Sequence, residues 1–359
     1  MKKYLGLVLC LVILLNFRVS GQIPPGYYDP ANGKSGVPLQ SALHDIIKGH
    51  TVKSYDYLWT AFKTTDEKPN GTVWDMYSDI PDGTPNGNPP YVFTFVTDQC
   101  GNYGAEGDCY NREHSWPKSW FNDQAPMNSD LFHIYPTDGY VNNRRDNYPF
   151  GTVASASWTS QNGSKLGPCS WPGYSGTVFE PRDDYKGDFA RSYFYMSTRY
   201  YTEDASWDVT DMTSKSQLKS WALQMMLHWN NADPVSQKET DRNNTVYGIQ
   251  NNRNPFIDHP EYAALIWGNP VGIEENMGDF RLTLYPNPAA DVCTIVIPKG
   301  TRIGEDHLFL TTLTGEKIIP EVYYGETTLT LKVESLPRDI YFVVLTGNSG
   351  TYHGKLIIE

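Results

Sequence analysis

The run NREHSWPKSW, Asn111 to Trp120, sets a carboxylate, Glu113, directly before an imidazole, His114, among aromatic residues and a lysine. Consecutive side chains on a regular strand point to opposite faces. Both groups therefore serve one site only if the backbone leaves regular geometry there, and Pro117, three residues on, supports such a departure. The next dense stretch is DLFHIYPTDGYVNNRRDNYPFG, Asp130 to Gly151. Within it PTDG (Pro136–Gly139) reads as a turn. The NNRRDN that follows offers three amides, two guanidinium groups and a carboxylate within six residues. His114 and Asn142 stand 28 positions apart, room for a strand, a loop, a second strand and the start of a helix.

Hydrolysis of a phosphodiester needs oxygen ligands for a hard cation, a general base and an arginine for phosphate. Glu113 and Asn142 can supply the oxygens, His114 the base and Arg145 the clamp. A histidine of ordinary pKa, about 6.5, is largely neutral at pH 7 and ready to accept a proton. Asn-rich turns with arginines are also common on surfaces, so the residues leave a second class open. In that class the aromatic-rich loops of a surface module or adhesin hold glycan or nucleic acid without cutting it. A metalloprotease is disfavoured, because no H-E-x-x-H helix is present.

The chain has 359 residues with 25 Tyr, 10 Trp and 14 Phe, which argues for folded domains rather than disorder. Its formal charge is −12, more negative still once Lys2, Lys3 and Arg18 are lost with a leader. Such a chain is no general polyanion binder, since non-specific nucleic-acid affinity comes from Lys and Arg displacing counterions. Any phosphate chemistry needs local positive charge or a metal. Residues 1–21 have the basic start, apolar run and small-residue end of a secretory signal peptide. No segment reaches the roughly 18–20 apolar residues needed to span a bilayer, so no stable membrane insertion is expected. In an oxidising compartment CGNYGAEGDC reads as a small loop closed between Cys100 and Cys109, with two free thiols as the alternative.

Apolar spacing predicts helices over Pro38–Gly49, Asp183–Tyr201 and the stripe Leu218–Trp229, with the last two amphipathic on an aromatic face. A further short helix is expected at DHPEY, with Asp258 as its cap and Glu261 completing a capping box. The stretches 81–90 and 160–176 read as long loops. After about Asp279 the texture changes to short alternating runs with turn signals between them, a β-sandwich without an ionisable cluster. The fold class is α+β, with a mainly helical domain over 22–278 followed by a small all-β sandwich over 279–359.

Four ordered blocks, NREHSWPKSWF, DLFHIYPTDGYVNNRRDNYPFG, VFEPRDDYKGDFARSYFYM and VYGIQNNRNPFIDHPEY, resemble the successive signatures of the bacterial endonuclease I family of secreted, non-specific nucleases. That resemblance implies a ββα-metal (His-Me finger) site, with His114 as general base and Glu113 and Asn142 as ligands of a single Mg²⁺ or another divalent cation. It further implies Arg145 near the phosphate, Asn147 closing the same stretch, DNA and RNA as substrates, 5′-phosphate products and a monomer. An arginine that better-known members carry between the Glu-His pair and the DL block is missing here, which leaves its duty to Arg144 or Lys118. His133 is not assigned the role of the family's histidine in that block, because Phe132 stands in its place. Glu180, Asp188 and Arg191 are expected to brace a helix against the finger, and Arg253 and Asn254 to line the substrate groove. The tail, from LYPNPAADVCTIVI to KLIIE, resembles the C-terminal sorting domain of the type IX secretion pathway, which implies that secretion machinery as a partner.

Overall fold

Leu39, Leu43 and Ile47 recur every four residues, and the first helix, α1 (Gly36–Ile47), buries all three as that spacing requires. The structure, a computed structural model, describes residues 23–79, 91–268, 282–297, 308–312, 317–325, 327–347 and 350–359. The expected leader and the loop 81–90 lie outside those residues. The chain divides into two compact units, Met1–Val271 and Gly272–Glu359.

In the first unit α1 is followed by α2 (Leu58–Thr65), β1 (Tyr110–His114), β2 (Ile134–Asp138) and α3 (Gly139–Arg145). Then come β3 (Trp158–Thr159), β4 (Lys165–Pro168), β5 (Thr177–Glu180), α4 (Lys186–Arg199), β6 (Thr213–Ser214), β7 (Gln217–Leu218) and α5 (Ser220–Ala232). The unit ends with α6 (Gln237–Gln250), α7 (Pro255–Asp258) and α8 (Glu261–Trp267). Helices and strands are mixed, an α+β arrangement. The pairs β1-β2 and β6-β7 and the three-stranded sheet β3-β4-β5 are all antiparallel.

At the centre stands α4, against α1, α5 and α7. A one-sided aromatic stripe was expected for it, yet every residue from Gly187 to Arg199 is buried. A helix walled on all sides has to satisfy its polar groups inside the protein. Arg191 pairs with Glu239 of α6 through Nε–Oε1 at 2.5 Å and Nη2–Oε2 at 2.8 Å. Tyr195 and Tyr200 donate to Asp130 Oδ2 at 2.9 and 2.8 Å, and Gln250 donates to its Oδ1 at 3.0 Å. That carboxylate is the anchor of the segment leading into β2.

Several local expectations change. PTDG is the junction of β2 with α3, where the Asp138 side chain accepts from the Val141 N–H at 2.9 Å and caps the helix. The expected loop 160–176 contains β4, whose partners on either side are β3 and β5. Asp258 caps nothing. It closes α7, which Asn254 caps, and accepts from Arg253 Nε at 2.6 Å, while Pro260 precedes α8. His44 of α1 is buried with Nδ1 3.1 Å from the Thr198 and Arg199 carbonyls.

The second unit has eight strands among its described residues. They form two antiparallel four-stranded sheets, ordered β11-β10-β14-β15 and β12-β13-β9-β8. These are β8 (Thr283–Tyr285), β9 (Val292–Val296), β10 (Leu308–Thr311), β11 (Lys317–Ile318), β12 (Glu321–Tyr324), β13 (Thr328–Lys332), β14 (Ile340–Gly347) and β15 (Gly350–Ile357). Alternate residues such as Cys293 and Ile295, Leu329 and Leu331, and Val343 and Leu345 are buried in one core. This is the period-2 pattern read from the sequence.

Arg242 of α6 is buried and donates to Asp66 at 2.8 and 3.3 Å and to the Leu131 and Ile134 carbonyls at 2.8 and 2.9 Å. Removing one partner of a buried pair strands the other charge. Arg242→Met should therefore lower unfolding free energy by about 3–5 kcal/mol, measured by urea titration. The double variant Arg242→Met/Asp66→Leu should lose less than the single one.

Candidate active site

Two rungs fasten β1 to α3. Alternation along the strand puts Asn111 and Glu113 on one face, and on the helix Asn142 and Arg145 lie three residues apart, one turn along. The Asn142 amide donates to Asn111 Oδ1 at 2.7 Å, and Arg145 Nη1 donates to Glu113 Oε1 at 2.8 Å. The pairing of β1 with β2 runs unbroken through Glu113↔Tyr135 and His114↔Ile134. The expected departure from strand geometry thus falls after the pair, from Ser115 on, and not at it.

The strand-to-helix corner is held from the other side by the loop that the Cys100–Cys109 disulfide closes. Gly107 N–H donates to Asp138 Oδ2 at 2.6 Å, and Gly139 N–H to the Cys109 carbonyl at 2.9 Å. A Cβ on Gly139 would stand 2.7 Å from the Tyr103 ring, so glycine allows that ring to close over the start of α3.

A cleft of about 350 Å³ opens here, lined among others by Glu113, His114, Asn142, Asn147, Lys118 and Arg112. The Glu113 carboxyl is buried and also accepts from the Tyr77 hydroxyl at 2.6 Å. Burial pushes its pKa up to about 7, against the pull of the Arg145 guanidinium and the Tyr77 hydrogen bond. Both of these donors reach Oε1, and among the described residues none reaches Oε2. Similarly, donation by the Asn142 NH₂ fixes its amide orientation and leaves Oδ1 as an acceptor.

His114 Nε2 lies 3.2 Å from the Asn128 carbonyl, which can only accept, so Nε2 carries the proton. Nδ1 then holds the lone pair and has no partner among the described residues. Burial, with the neighbouring His133 next in effect, holds the His114 pKa well below its ordinary value, so the ring is neutral. Tyr55 stacks on it at 5.8 Å and 23°, and His133 meets it edge-on at 5.5 Å. His133 Nε2 bonds the Met127 carbonyl at 2.7 Å, beneath the site.

The other expected residues divide. Lys118 and Asn147 line the cleft and are exposed. Arg144 is exposed outside the lining, bonded to the Tyr140 hydroxyl at 2.7 Å. Arg145 cannot serve as an open phosphate clamp. Only 1% exposed, it spends its guanidinium on Glu113, on the His114 and Ser115 carbonyls and on Tyr193. Glu180 binds Lys186 at 2.6 Å and the Val153 N–H at 2.9 Å, away from Arg191, which joins α4 to α6. Arg253 and Asn254 are buried and lie outside the lining of this cleft: Arg253 is tied to Asp258 and Asn244, and Asn254 to the Arg191 carbonyl. Asn111, Tyr55, Tyr77 and Asn128 were missed. Only Asn111 left a trace in the sequence, two positions before Glu113 on the same strand face.

Among the described residues no group of three or more His, Cys, Asp or Glu side chains is placed to hold a metal ion. One carboxylate oxygen and one amide oxygen suit instead a hard divalent cation that keeps most of its water shell. Loss of a residue that orients a ligand typically weakens metal affinity about 10- to 100-fold. Asn111→Ala should weaken divalent-cation binding by that factor in a calorimetric titration, and Asn111→Asp, which still accepts from Asn142, should not.

The Endonuclease I family description matches residues 35–261, and that of a secretion system C-terminal sorting domain matches residues 283–359. An extracellular ribonuclease of Bacillus amyloliquefaciens is 40% identical over 251 residues, 67% of this chain and 78% of that one. One of Bacillus subtilis (strain 168) is 38% identical over the same shares. An extracellular deoxyribonuclease of Aeromonas hydrophila is 27% identical over 136 residues, 37% of this chain and 50% of that one. No helix among the described residues is long and apolar enough to cross a membrane. The chain belongs to the endonuclease I family, and it is a secreted or cell-surface nuclease that carries a C-terminal secretion sorting domain.

Proposed function

We propose that this nuclease is a metal-dependent endonuclease that hydrolyses phosphodiester bonds of DNA and RNA with little sequence preference, acting as a monomer. In this reading β1, β2 and α3 form the ββα-metal finger of a largely helical domain over 22–278, and the sorting domain over 279–359 engages the type IX machinery. The observation that carries the proposal is the His114 tautomer: a proton fixed on Nε2 by Asn128, and a free lone pair on Nδ1 beside the cleft. Relatives named as a ribonuclease and as a deoxyribonuclease support both substrates. The reading as a non-catalytic surface binding module gives way to the family membership.

In the proposed mechanism His114 Nδ1 accepts a proton from water as the water oxygen bonds to phosphorus. The bond from phosphorus to the 3′ oxygen breaks and that oxygen takes a proton from solvent water, leaving a 3′ hydroxyl and a 5′-phosphate. Glu113 and Asn142 would hold Mg²⁺, which when bound supplies charge stabilisation at the phosphate and at the leaving oxygen. Arg145 favours the ionised form of Glu113 against its burial and holds it in place, and Tyr77 steadies the same oxygen. Tyr55 and His133 pack the imidazole so that its orientation costs little at the moment of reaction.

A positioned general base contributes about 100- to 10,000-fold. His114→Ala should therefore lower kcat by that range on circular plasmid while its thermal unfolding stays that of the parent. Wild-type turnover in this variant would refute the assignment. EDTA should stop cleavage and Mg²⁺ restore it, scored by loss of intact circles on a gel, whereas full activity in chelator would rule out the metal.

A further inference from the structure

Alternation along β1 places Arg112 on the face opposite Glu113 and beside His114. There its guanidinium lies 3.6 Å over the Tyr55 ring and 4.5 Å from the Trp59 ring, and Nη1 donates to the Tyr55 carbonyl at 3.0 Å. Tyr55 is the ring that stacks on His114, so one aromatic side chain sets both the base and the guanidinium. The remaining neighbour, Asp56, is 3.6 Å away but 95% exposed, and such a pair is weak and screened.

Among the described residues three cationic side chains line the cleft: Arg112, Lys118 and Arg145. Arg145 is sealed and spent on Glu113 and carbonyls. Lys118 is half-exposed on a flexible stem and paired with Asp123 at 3.1 Å. Arg112 alone among them combines a place on the His114 face with a guanidinium held rigid by stacking. Rigid planar guanidinium groups suit phosphate oxygens better than an ammonium does. A chain of net charge −12 also needs local cations to hold a polyanion.

We propose that Arg112 binds a non-bridging oxygen of the scissile phosphate next to His114, the duty that the sequence left to Arg144 or Lys118. This rests on the phosphodiesterase reading above. The NREH run then holds a phosphate ligand at its second position, a metal ligand at its third and the base at its fourth.

The test uses the full mature chain with Mg²⁺ and a short single-stranded oligonucleotide, measuring kcat/KM against NaCl concentration for the parent, Arg112→Met, Arg112→Lys and Lys118→Ala. Loss of one charged hydrogen bond to phosphate should lower kcat/KM about 10- to 100-fold in Arg112→Met. It should also flatten the log–log salt dependence by about one unit, which a mere packing role would not do. Arg112→Lys, which keeps the charge, should retain the parent salt slope with lower activity. Should Arg112→Met fail to fold, as read by its thermal melt, Arg112→Lys is judged alone: activity equal to the parent overturns the proposal. It is equally overturned if Arg112→Met keeps the parent slope, or if the slope change appears in Lys118→Ala instead. A parent protein that cleaves neither DNA nor RNA in Mg²⁺ would refute the phosphodiesterase reading itself, whereas an active parent with an indifferent Arg112→Met refutes only this assignment.

Discussion

Arg145 is a guanidinium that scarcely meets solvent, and the geometry of the cleft depends on it. From the last turn of α3 it reaches acceptors on three consecutive residues: the Glu113 carboxylate, the His114 carbonyl and the Ser115 carbonyl. One side chain thus fixes the end of β1, which carries the carboxylate and the imidazole on consecutive residues. The electrostatic consequence is as large as the geometric one. Burial already lifts the Glu113 carboxyl to about 7, with Arg145 the chief opposing influence. Without that cation the group would favour its neutral form, a poor ligand for the proposed metal ion. A role as an open clamp for substrate would conflict with this one, since each N–H given to phosphate would be taken from the strand.

The outline of the site was legible in the sequence because it is local. Glu113 and His114 are adjacent, and the spacing to Asn142 allowed for the loop, second strand and helix start that the structure contains. What could not be read were roles that depend on partners far along the chain. Arg191 meets Glu239 across 48 positions, and Arg242 meets Asp66 across 176. Helix α6 escaped notice for a related reason: its buried face is Glu239, Arg242, Asn243, Val246 and Gln250, nearly all polar. Hydrophobic periodicity is silent about a face satisfied by hydrogen bonds. Its Ser236–Glu239 capping box is the one local signal of its start. Conversely, Asp258 carried the pattern of a capping residue, yet a stronger partner, Arg253, took its carboxylate.

The β-rich second unit was read more easily, because alternation of apolar residues over short runs is what a two-sheet core demands. In the first unit the apolar core and the polar networks interleave. Asp130, with two tyrosines and a glutamine on it, supports the segment into β2 much as Arg145 supports the end of β1. Both strands of the β1-β2 pair are thus braced by buried charge.

Anomalous diffraction from crystals soaked in Mn²⁺ tests the central arrangement most directly. The account predicts a single strong peak about 2.1–2.2 Å from both a Glu113 carboxylate oxygen and Asn142 Oδ1, with water filling the other positions and His114 Nδ1 facing the cleft unligated. A peak on His114 itself, or an ion that touches neither Glu113 nor Asn142, would contradict it.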